Sequence, residues 1–185
     1  GEKATPRGPI RLGIPLSYGL QVLTPWLLEF SKHYPAIDLS LDLSDDRVNL
    51  IEEGLDLAIR ITSHHAPGDV VRKLGECPMV TFASPRYLSL HGTPQHPHEL
   101  EQHECLVYSN TPARTQWAFQ VAGKKTTVPV RGRILANSGL LLTEAAAQHM
   151  GVSKQPYFIA KPYLDARAVS PILEKHEVSP LGIYA

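Results

Sequence analysis

Polar side chains follow two apolar runs near the start of the chain, where they could bind a small ligand. The first run ends at Pro15, with Ser17 just beyond it, and the second ends at Ser44 and Asp45. In open α/β folds, ligands bind at the carboxyl ends of the strands. The free N–H groups at the start of a following helix favour an anion there. The pattern therefore predicts a ligand site that includes these four residues.

Arg60 ends a third strand-like run and is placed to give a carboxylate-bearing ligand a bidentate partner. Two other interpretations are open. Arg60 could instead form an ion pair with Asp45, Asp46 or Asp56, or it could lie in a contact between two copies of the chain.

The second half of the chain offers further polar groups beside predicted strands and helices. Asn137 and Ser138 open a predicted helix, and Tyr108 and Asn110 come at the end of a predicted strand. The alternative for Ser138, as for Ser44, is ordinary helix N-capping, worth about 1 kcal/mol. Because several such groups recur at element ends, we favour ligand binding for the set, although surface placement is equally compatible with Asn110.

Nine histidines raise the question of a metal site, because several lie in one segment with Glu99 and Glu104. Their spacing is irregular and no paired cysteine accompanies them, so exposed polar surface is the better interpretation. We predict no metal site and no cofactor. The segment contains His91, His96, His98, Glu99, His103 and Glu104.

Catalytic motifs are absent from the sequence. It contains no GxSxG elbow, no HExxH and no GxxxxGK[ST] phosphate loop. Asp45 and Asp46 are adjacent, and helix-dipole complementarity explains them without acid–base chemistry. The prediction is a protein that is not an enzyme.

The first half of the chain has the pattern of strand, helix and strand that could position these groups. A short run with Ile10, Leu12 and Ile14 on its apolar side, which stops at Pro15, reads as a strand, as do residues 37–43. Apolar residues at three-to-four spacing between them indicate an amphipathic helix. Pro25 is tolerated in a first turn, so the helix is predicted to begin within a turn of Thr24. Its stripe of Trp26, Leu27 and Phe30 is expected to be mostly core, with an outer flank that could contact a partner.

A second helix, residues 46–53, and a third strand, residues 55–61, are predicted to complete an open parallel sheet. A second α/β unit then begins near Pro78. Its predicted strands are 78–83, 105–108, 152–155 and 168–173, preceded by a strand at 70–74 and followed by one at 181–185. Its predicted helices are 86–90, 139–150 and 156–164, with a short turn of helix at 99–102. A hairpin joins strands 117–121 and 126–133 through residues 122–125.

The composition of the chain limits the classes of function that it can have. The chain has 185 residues, 43% of them hydrophobic and 19% charged, with no apolar run long enough to cross a bilayer. Its formal net charge is zero, so it lacks the basic footprint of a domain that binds duplex DNA. Cys77 and Cys105 have no metal or redox spacing, and free buried thiols in the cytoplasm are expected.

Several segments resemble one known family in order and spacing. They are GPIRLGIP, PWLLEFSKHYP, DLAIR, ASPRYLSLHGTPQHPHELEQHECLVY, AAAQHMGV and LGIYA. Together they resemble the effector-binding domain of LysR-type transcriptional regulators. DLAIR combined with the ASPRYL block at this spacing is the specific part of the match.

The resemblance implies a periplasmic-binding-protein-like α/β fold with two Rossmann-like subdomains and a small-molecule inducer in the cleft between them. Residues 1–7 would be a linker remnant, 8–77 the first subdomain and 78–185 the second, with a return to the first near 181–185. The last helix of the first subdomain would be missing. A homodimer or tetramer is implied, and DNA would be bound only through a helix-turn-helix domain missing from this sequence, with no membrane partner. The alternative with the same fold is a transport-type periplasmic solute-binding protein.

The chain also departs from the family pattern. Lys154 and Gln155 stand where the family usually has apolar residues, and Ser138 stands where many members have Asp. The inducer is expected to be anionic or aromatic.

Overall fold

The computed structural model describes residues 4–45, 54–63, 68 and 70–185. The chain forms two compact units: unit 1 comprises Gly1–Glu76 and Leu181–Ala185, and unit 2 comprises Cys77–Pro180. No helix in these ranges has both the length and the apolar character needed to cross a membrane.

A three-stranded parallel sheet forms the first layer of unit 1. Its strands are β1 (Gly8–Ile14), β2 (Ile37–Leu43) and β3 (Leu57–Ala58), in the order β2-β1-β3. β1 pairs along its whole length with β2, and this parallel register brings the carboxyl ends of the two strands to the same edge. The predicted second helix, residues 46–53, lies outside the described residues.

The helical segment after β1 begins earlier than predicted. It runs from α1 (Leu16–Tyr18) through a π turn (Gly19–Leu23) into α2 (Thr24–His33). Pro25 has no N–H to donate within a regular helix, and the π turn lies directly before it. The Thr24 hydroxyl donates to the Gly19 carbonyl at 2.9 Å, which satisfies one backbone oxygen of the irregular turn.

The predicted third strand, residues 55–61, is divided between two sheets. β3 continues the parallel sheet, whereas β4 (Arg60–Thr62) joins a second sheet with β13 (Leu181–Tyr184) and β5 (Lys73–Cys77), in the order β4-β13-β5. The strand predicted at 70–74 is displaced along the chain, since β5 begins at Lys73 and ends at Cys77. Hydropathy alone could not locate the break, because apolar residues continue on both sides of it while the pairing partner changes.

A five-stranded mixed sheet forms the centre of unit 2, in the order β10-β7-β11-β6-β12. β7 pairs in parallel with β10 and β11, and β6 pairs antiparallel with β11 and β12. The strands are β6 (Met79–Ala83), β7 (Cys105–Tyr108), β10 (Leu135–Ala136), β11 (Val152–Pro156) and β12 (Ser170–Ile172).

Two apolar clusters pack in unit 2. One joins Phe82 and Leu106 of the sheet to Leu142 and Ala146 of α4 (Gly139–Ala147) and to α5 (Tyr157–Asp165). The other contains Phe119 of the hairpin β8 (Gln116–Val121) and β9 (Lys124–Pro129). Neighbouring residues of a strand point to opposite faces of the sheet. Consecutive polar residues on β11 therefore lie on opposite faces of this sheet.

The local signals of unit 2 predicted α3 (Pro85–His91) within one residue at each end, since Ser84 caps it by accepting from the Tyr87 N–H at 3.0 Å. Short 3₁₀ turns occur at Pro97–Gln102 and Glu174–His176. The hairpin turn is tighter than predicted. Ala122 and Gly123 both have positive φ, as a two-residue turn requires, so Lys124 and Lys125 belong to β9.

Two other predictions about helices are wrong. α4 ends at Ala147 rather than at Met150, since His149 adopts a left-handed conformation with φ of 69°. The expectation that the stripe on α2 is mostly core also fails: Trp26 is 73% exposed and no residue of α2 is buried.

Candidate functional site

The carboxyl ends of β1 and β2 place four of the predicted site residues at one edge of the unit 1 sheet. Ile14 pairs with Leu43, and the N–H of Ser44 donates to the Ile14 carbonyl at 3.0 Å. Pro15 is the N-cap residue of α1, Ser17 lies within α1, and Ser44 and Asp45 directly follow β2. Parallel pairing therefore brings these four residues together at one edge of the sheet, as predicted.

Arg60 reaches the same edge from β3. Gly13 of β1 pairs with Ala58, and the Ile59 N–H donates to the Gly13 carbonyl at 2.8 Å. Arg60 comes next and is half-buried. Among its three predicted ion-pair partners, Asp56 accepts a hydrogen bond from the Arg11 N–H at 2.8 Å, and Asp46 lies outside the described residues.

The predicted free N–H at the start of α1 is already used by the protein. The Asp45 carboxylate accepts from the Leu16 N–H at 2.9 Å. A carboxylate is the group that favours this position, because the amino end of a helix carries partial positive charge. Asp45 thus stabilises the start of α1, and an anion bound beside Leu16 would meet a like charge.

Tyr108, Asn137 and Ser138 form the corresponding group in unit 2. Tyr108 ends β7 and pairs with Ala136, the last residue of the parallel strand β10. The Ser109 N–H donates to the Ala136 carbonyl at 2.9 Å. Asn137 and Ser138 follow directly, so the three predicted residues share one edge of the sheet.

Ser138 caps α4, as its alternative interpretation required. Its hydroxyl accepts from the Leu141 N–H at 3.2 Å. The next residue, Gly139, is buried. Capping uses one acceptor lone pair of the hydroxyl and leaves its proton available for a further bond. The two roles are therefore compatible.

Gln155 is a polar residue near this edge that the site prediction omitted. It lies on β11, only 3% exposed, and its amide nitrogen donates to the Ser153 hydroxyl at 3.2 Å. The signal in the sequence is that Lys154 and Gln155 are polar residues at positions where the family pattern has apolar ones.

The histidine-rich segment makes contacts within the protein. His91 stacks on Tyr87 with ring centroids 4.5 Å apart, and the Tyr87 hydroxyl lies 2.7 Å from Nδ1 of His103. Burial lowers the pKa of His103, and the nearby His91 adds to this effect. His96 and His98 stack at 5.1 Å. Across the described ranges, no three His, Cys, Asp or Glu side chains form a group that could hold a metal ion.

The two cysteines are buried and free. Burial raises the pKa of the Cys77 thiol to about 11 and that of the Cys105 thiol to about 12. At neutral pH both therefore remain protonated thiols, which are poor nucleophiles.

Comparisons with known proteins agree with one another. A family model described as LysR substrate binding domain matches residues 3–185. The probable HTH-type transcriptional regulator LtrA of Klebsiella pneumoniae is 34% identical over 171 residues, which are 92% of this chain and 55% of that protein. The chain thus spans about half the length of this relative.

Solved structures give the same result. The full-length structure of AphB, a virulence activator of Vibrio cholerae, matches with a TM-score of 0.84 and 26% identity, over 97% of this chain and 61% of that chain. The regulatory domain of CrgA, a LysR-type transcriptional regulator from Neisseria meningitidis, matches with a TM-score of 0.80 and 26% identity, over 97% and 88% of the two chains. These matches confirm the predicted periplasmic-binding-protein-like α/β fold class and the predicted family.

Proposed function

Because this chain belongs to the LysR substrate-binding domain family, we propose that it senses a small-molecule effector on behalf of a DNA-binding transcriptional regulator. The family match over residues 3–185 is the observation that carries the proposal. The relatives named above are regulators, and none of them supports the transport-type alternative.

The effector site in this proposal uses both groups of strand-end residues. Unit 1 contributes Pro15, Ser17, Ser44, Asp45 and Arg60, and unit 2 contributes Tyr108, Asn137 and Ser138. Arg60 carries the positive charge among these eight residues, and Ser17, Ser44, Asn137 and Ser138 offer neutral hydrogen-bonding groups. Such a set suits a small metabolite whose carboxylate binds at Arg60, away from the like charge of Asp45, while Tyr108 could pack against an aromatic one.

The mechanism is differential binding. An effector that binds one conformation more tightly shifts the population toward it by the difference in binding free energy. The shift would reach DNA through a helix-turn-helix domain such as the names of the relatives indicate. No step requires bond chemistry in this domain, so we propose a sensor that is not an enzyme and that works in the cytoplasm, where a regulator meets its DNA.

Thermal denaturation with benzoate and succinate as probes tests the site. At 100 times its Kd, a ligand adds about 2.7 kcal/mol to the stability of the folded state, which raises Tm by several degrees. Arg60→Ala should weaken acid binding by about tenfold or more, since it removes a charged hydrogen bond, and Ser44→Ala should weaken it less. Arg86→Ala, which removes an exposed arginine of α3, is the matched control and should leave the Tm shift unchanged. If an acid raises the Tm of Arg60→Ala and Ser44→Ala as much as that of the wild-type chain, these residues do not form its binding site.

We also propose that a second copy of this chain covers the helical segment of unit 1. Leu20, Trp26 and Leu28 are 60%, 73% and 58% exposed, and α2 buries none of its residues. A ten-residue helix is marginal without packing of an apolar face, and exposed apolar surface of this kind marks an interaction site.

Trp26→Glu is therefore expected to shift the chain from dimer to monomer, because a buried unpaired carboxylate opposes association. Sedimentation velocity measures the change. Leu90→Glu is the control, since Leu90 of α3 is 70% exposed and should tolerate charge without dissociation. Equal sedimentation of all three proteins would show that α2 is not the interface.

A further inference from the structure

Gln155 lies where the sheet of unit 2 meets the amino end of α4. β11 runs parallel to β7 with Ser153 opposite Leu106, so Gln155, two residues further along, is level with Tyr108. Tyr108 in turn pairs with Ala136, directly before the proposed site residues Asn137 and Ser138. The strand register therefore brings a buried amide to the same edge as the proposed unit 2 site.

The amide of Gln155 packs against the first residue of α4. A Cβ atom added at Gly139 would lie 2.6 Å from Oε1 of Gln155 and 2.8 Å from Cδ1 of Ile159, both too close for real contacts. Gly139 is thus seated directly on the glutamine amide. Ser138 precedes Gly139 and caps the helix through Leu141, so the position of the amide fixes the position of the cap.

The amide is itself fixed by a neighbour. Nε2 of Gln155 donates to the Ser153 hydroxyl at 3.2 Å, and Ser153 is fully buried. An apolar residue of similar length would lose this bond and the rotamer that it selects, because unbranched apolar side chains adapt to their surroundings. The hydrogen bond therefore holds the Gln155 amide in one orientation, against which the first residue of α4 packs.

We propose that Gln155 is a positioning residue which, by seating Gly139, sets the placement of Ser138 and Asn137 and so the selectivity of the effector site. This inference rests on the proposed function and extends it, because it assigns selectivity to a residue that need not touch the ligand. It predicts that changes at Gln155 alter the ratio of affinities for different acids, beyond any loss of stability.

Titration calorimetry with benzoate and succinate, alongside thermal denaturation, tests the proposal on the chain as it is. Gln155→Glu keeps the shape, and burial raises the pKa of the new carboxyl group, so both acids should bind at least about tenfold more weakly once the pH is high enough to ionise it. Gln155→Met removes the amide and should change the ratio of the two Kd values about fivefold or more. Gly139→Ala, from the other side of the contact, should also change this ratio.

Thr81→Val is the matched control. Thr81 is a fully buried polar residue of the same sheet whose hydroxyl donates to Glu177 at 3.1 Å. Its loss should lower Tm and leave the ratio of Kd values within about twofold.

The outcomes separate the two proposals. If the wild-type chain binds the acids and every Gln155 and Gly139 variant keeps the ratio within about twofold, Gln155 only packs and the inference is overturned, while the proposed function stands. If the wild-type chain binds neither acid, the proposal that its effector is an acid of this kind is overturned, and so is the inference about Gln155. A changed ratio in Gln155→Met with an unchanged ratio in Thr81→Val supports the inference.

Discussion

Replacing Glu177 with glutamine is expected to lower the free energy of unfolding by about 3–5 kcal/mol, because it would leave a buried ammonium without its counter-charge. Lys154 forms an ion pair with Glu177, and the two side chains are only 8% and 15% exposed. The Lys154 ammonium also lies 4.4 Å from the centre of the Phe119 ring. Urea denaturation followed by circular dichroism measures the loss.

Removing both charges should restore most of this stability. A buried ion pair can often be replaced by apolar residues of similar volume at little cost, since neither charge then has to be desolvated. Lys154→Met with Glu177→Gln is therefore expected to unfold within about 2 kcal/mol of the wild-type chain. A double variant as unstable as Glu177→Gln alone would contradict the electrostatic explanation.

An exposed ion pair supplies the control. Lys161 and Asp165 pair at 2.6 Å on the surface of α5, with side chains 54% and 61% exposed. Asp165→Asn should cost less than about 1 kcal/mol, since water screens the remaining charge. If the buried and exposed pairs gave equal losses, the burial of Lys154 would not be the cause.

The contribution of Lys154 to the pH dependence of stability has a defined sign. Burial lowers the pKa of Lys154, and Glu177 opposes this shift without reversing it. Between the lowered and the ordinary pKa, the unfolded chain binds more protons at this amine than the folded chain does. The contribution of Lys154 therefore makes stability rise with pH across that window, and Lys154→Met should remove the rise.

Gly132→Ala is expected to cost about 3 kcal/mol or more, since the added methyl group has no space. A Cβ atom at this position would lie 1.7 Å from the carbonyl oxygen of Cys105, the first residue of β7. The Cys105 N–H donates to the Arg131 carbonyl at 3.0 Å, so the two backbone segments could separate only by breaking this bond. Thermal denaturation measures the loss.

Gly75→Ala is the matched control for this change. The nearest atom to its added Cβ would be Cδ1 of Ile183 at 3.9 Å, an ordinary contact. This variant should be neutral or more stable by about 0.4–1 kcal/mol, because alanine restricts the unfolded chain. Similar behaviour of the two variants would show that the Gly132 segment moves freely away from β7.

Local signals in the sequence predicted much of the fold. Ser84 and Pro85 marked the start of α3, and the four residues of β7 were located without error. These features depend on capping and on apolar runs, which a sequence displays directly. The parallel arrangement of β1 and β2 followed from the same reasoning, and with it the shared position of Ser17 and Ser44.

The remaining features depend on partners that are distant along the chain. The break between β3 and Arg60 arises because Arg60 pairs with Tyr184, more than a hundred residues away. Asp45 was predicted to complement the helix after it, but it binds Leu16 at the start of α1. Lys154 is a charged residue in a mostly buried strand because it pairs with Glu177, 23 residues further along the chain. Register and charge pairing of this kind are set by packing rather than by local pattern.

The burial of both cysteines makes this chain suited to site-specific labelling. Because the Cys77 and Cys105 thiols are shielded and stay protonated at neutral pH, a maleimide dye should modify an added surface cysteine far faster than either of them. One cysteine placed in each unit would therefore carry a donor and acceptor pair, without any need to replace the native thiols. Energy transfer between the dyes could then follow the two units in solution as candidate effectors are added.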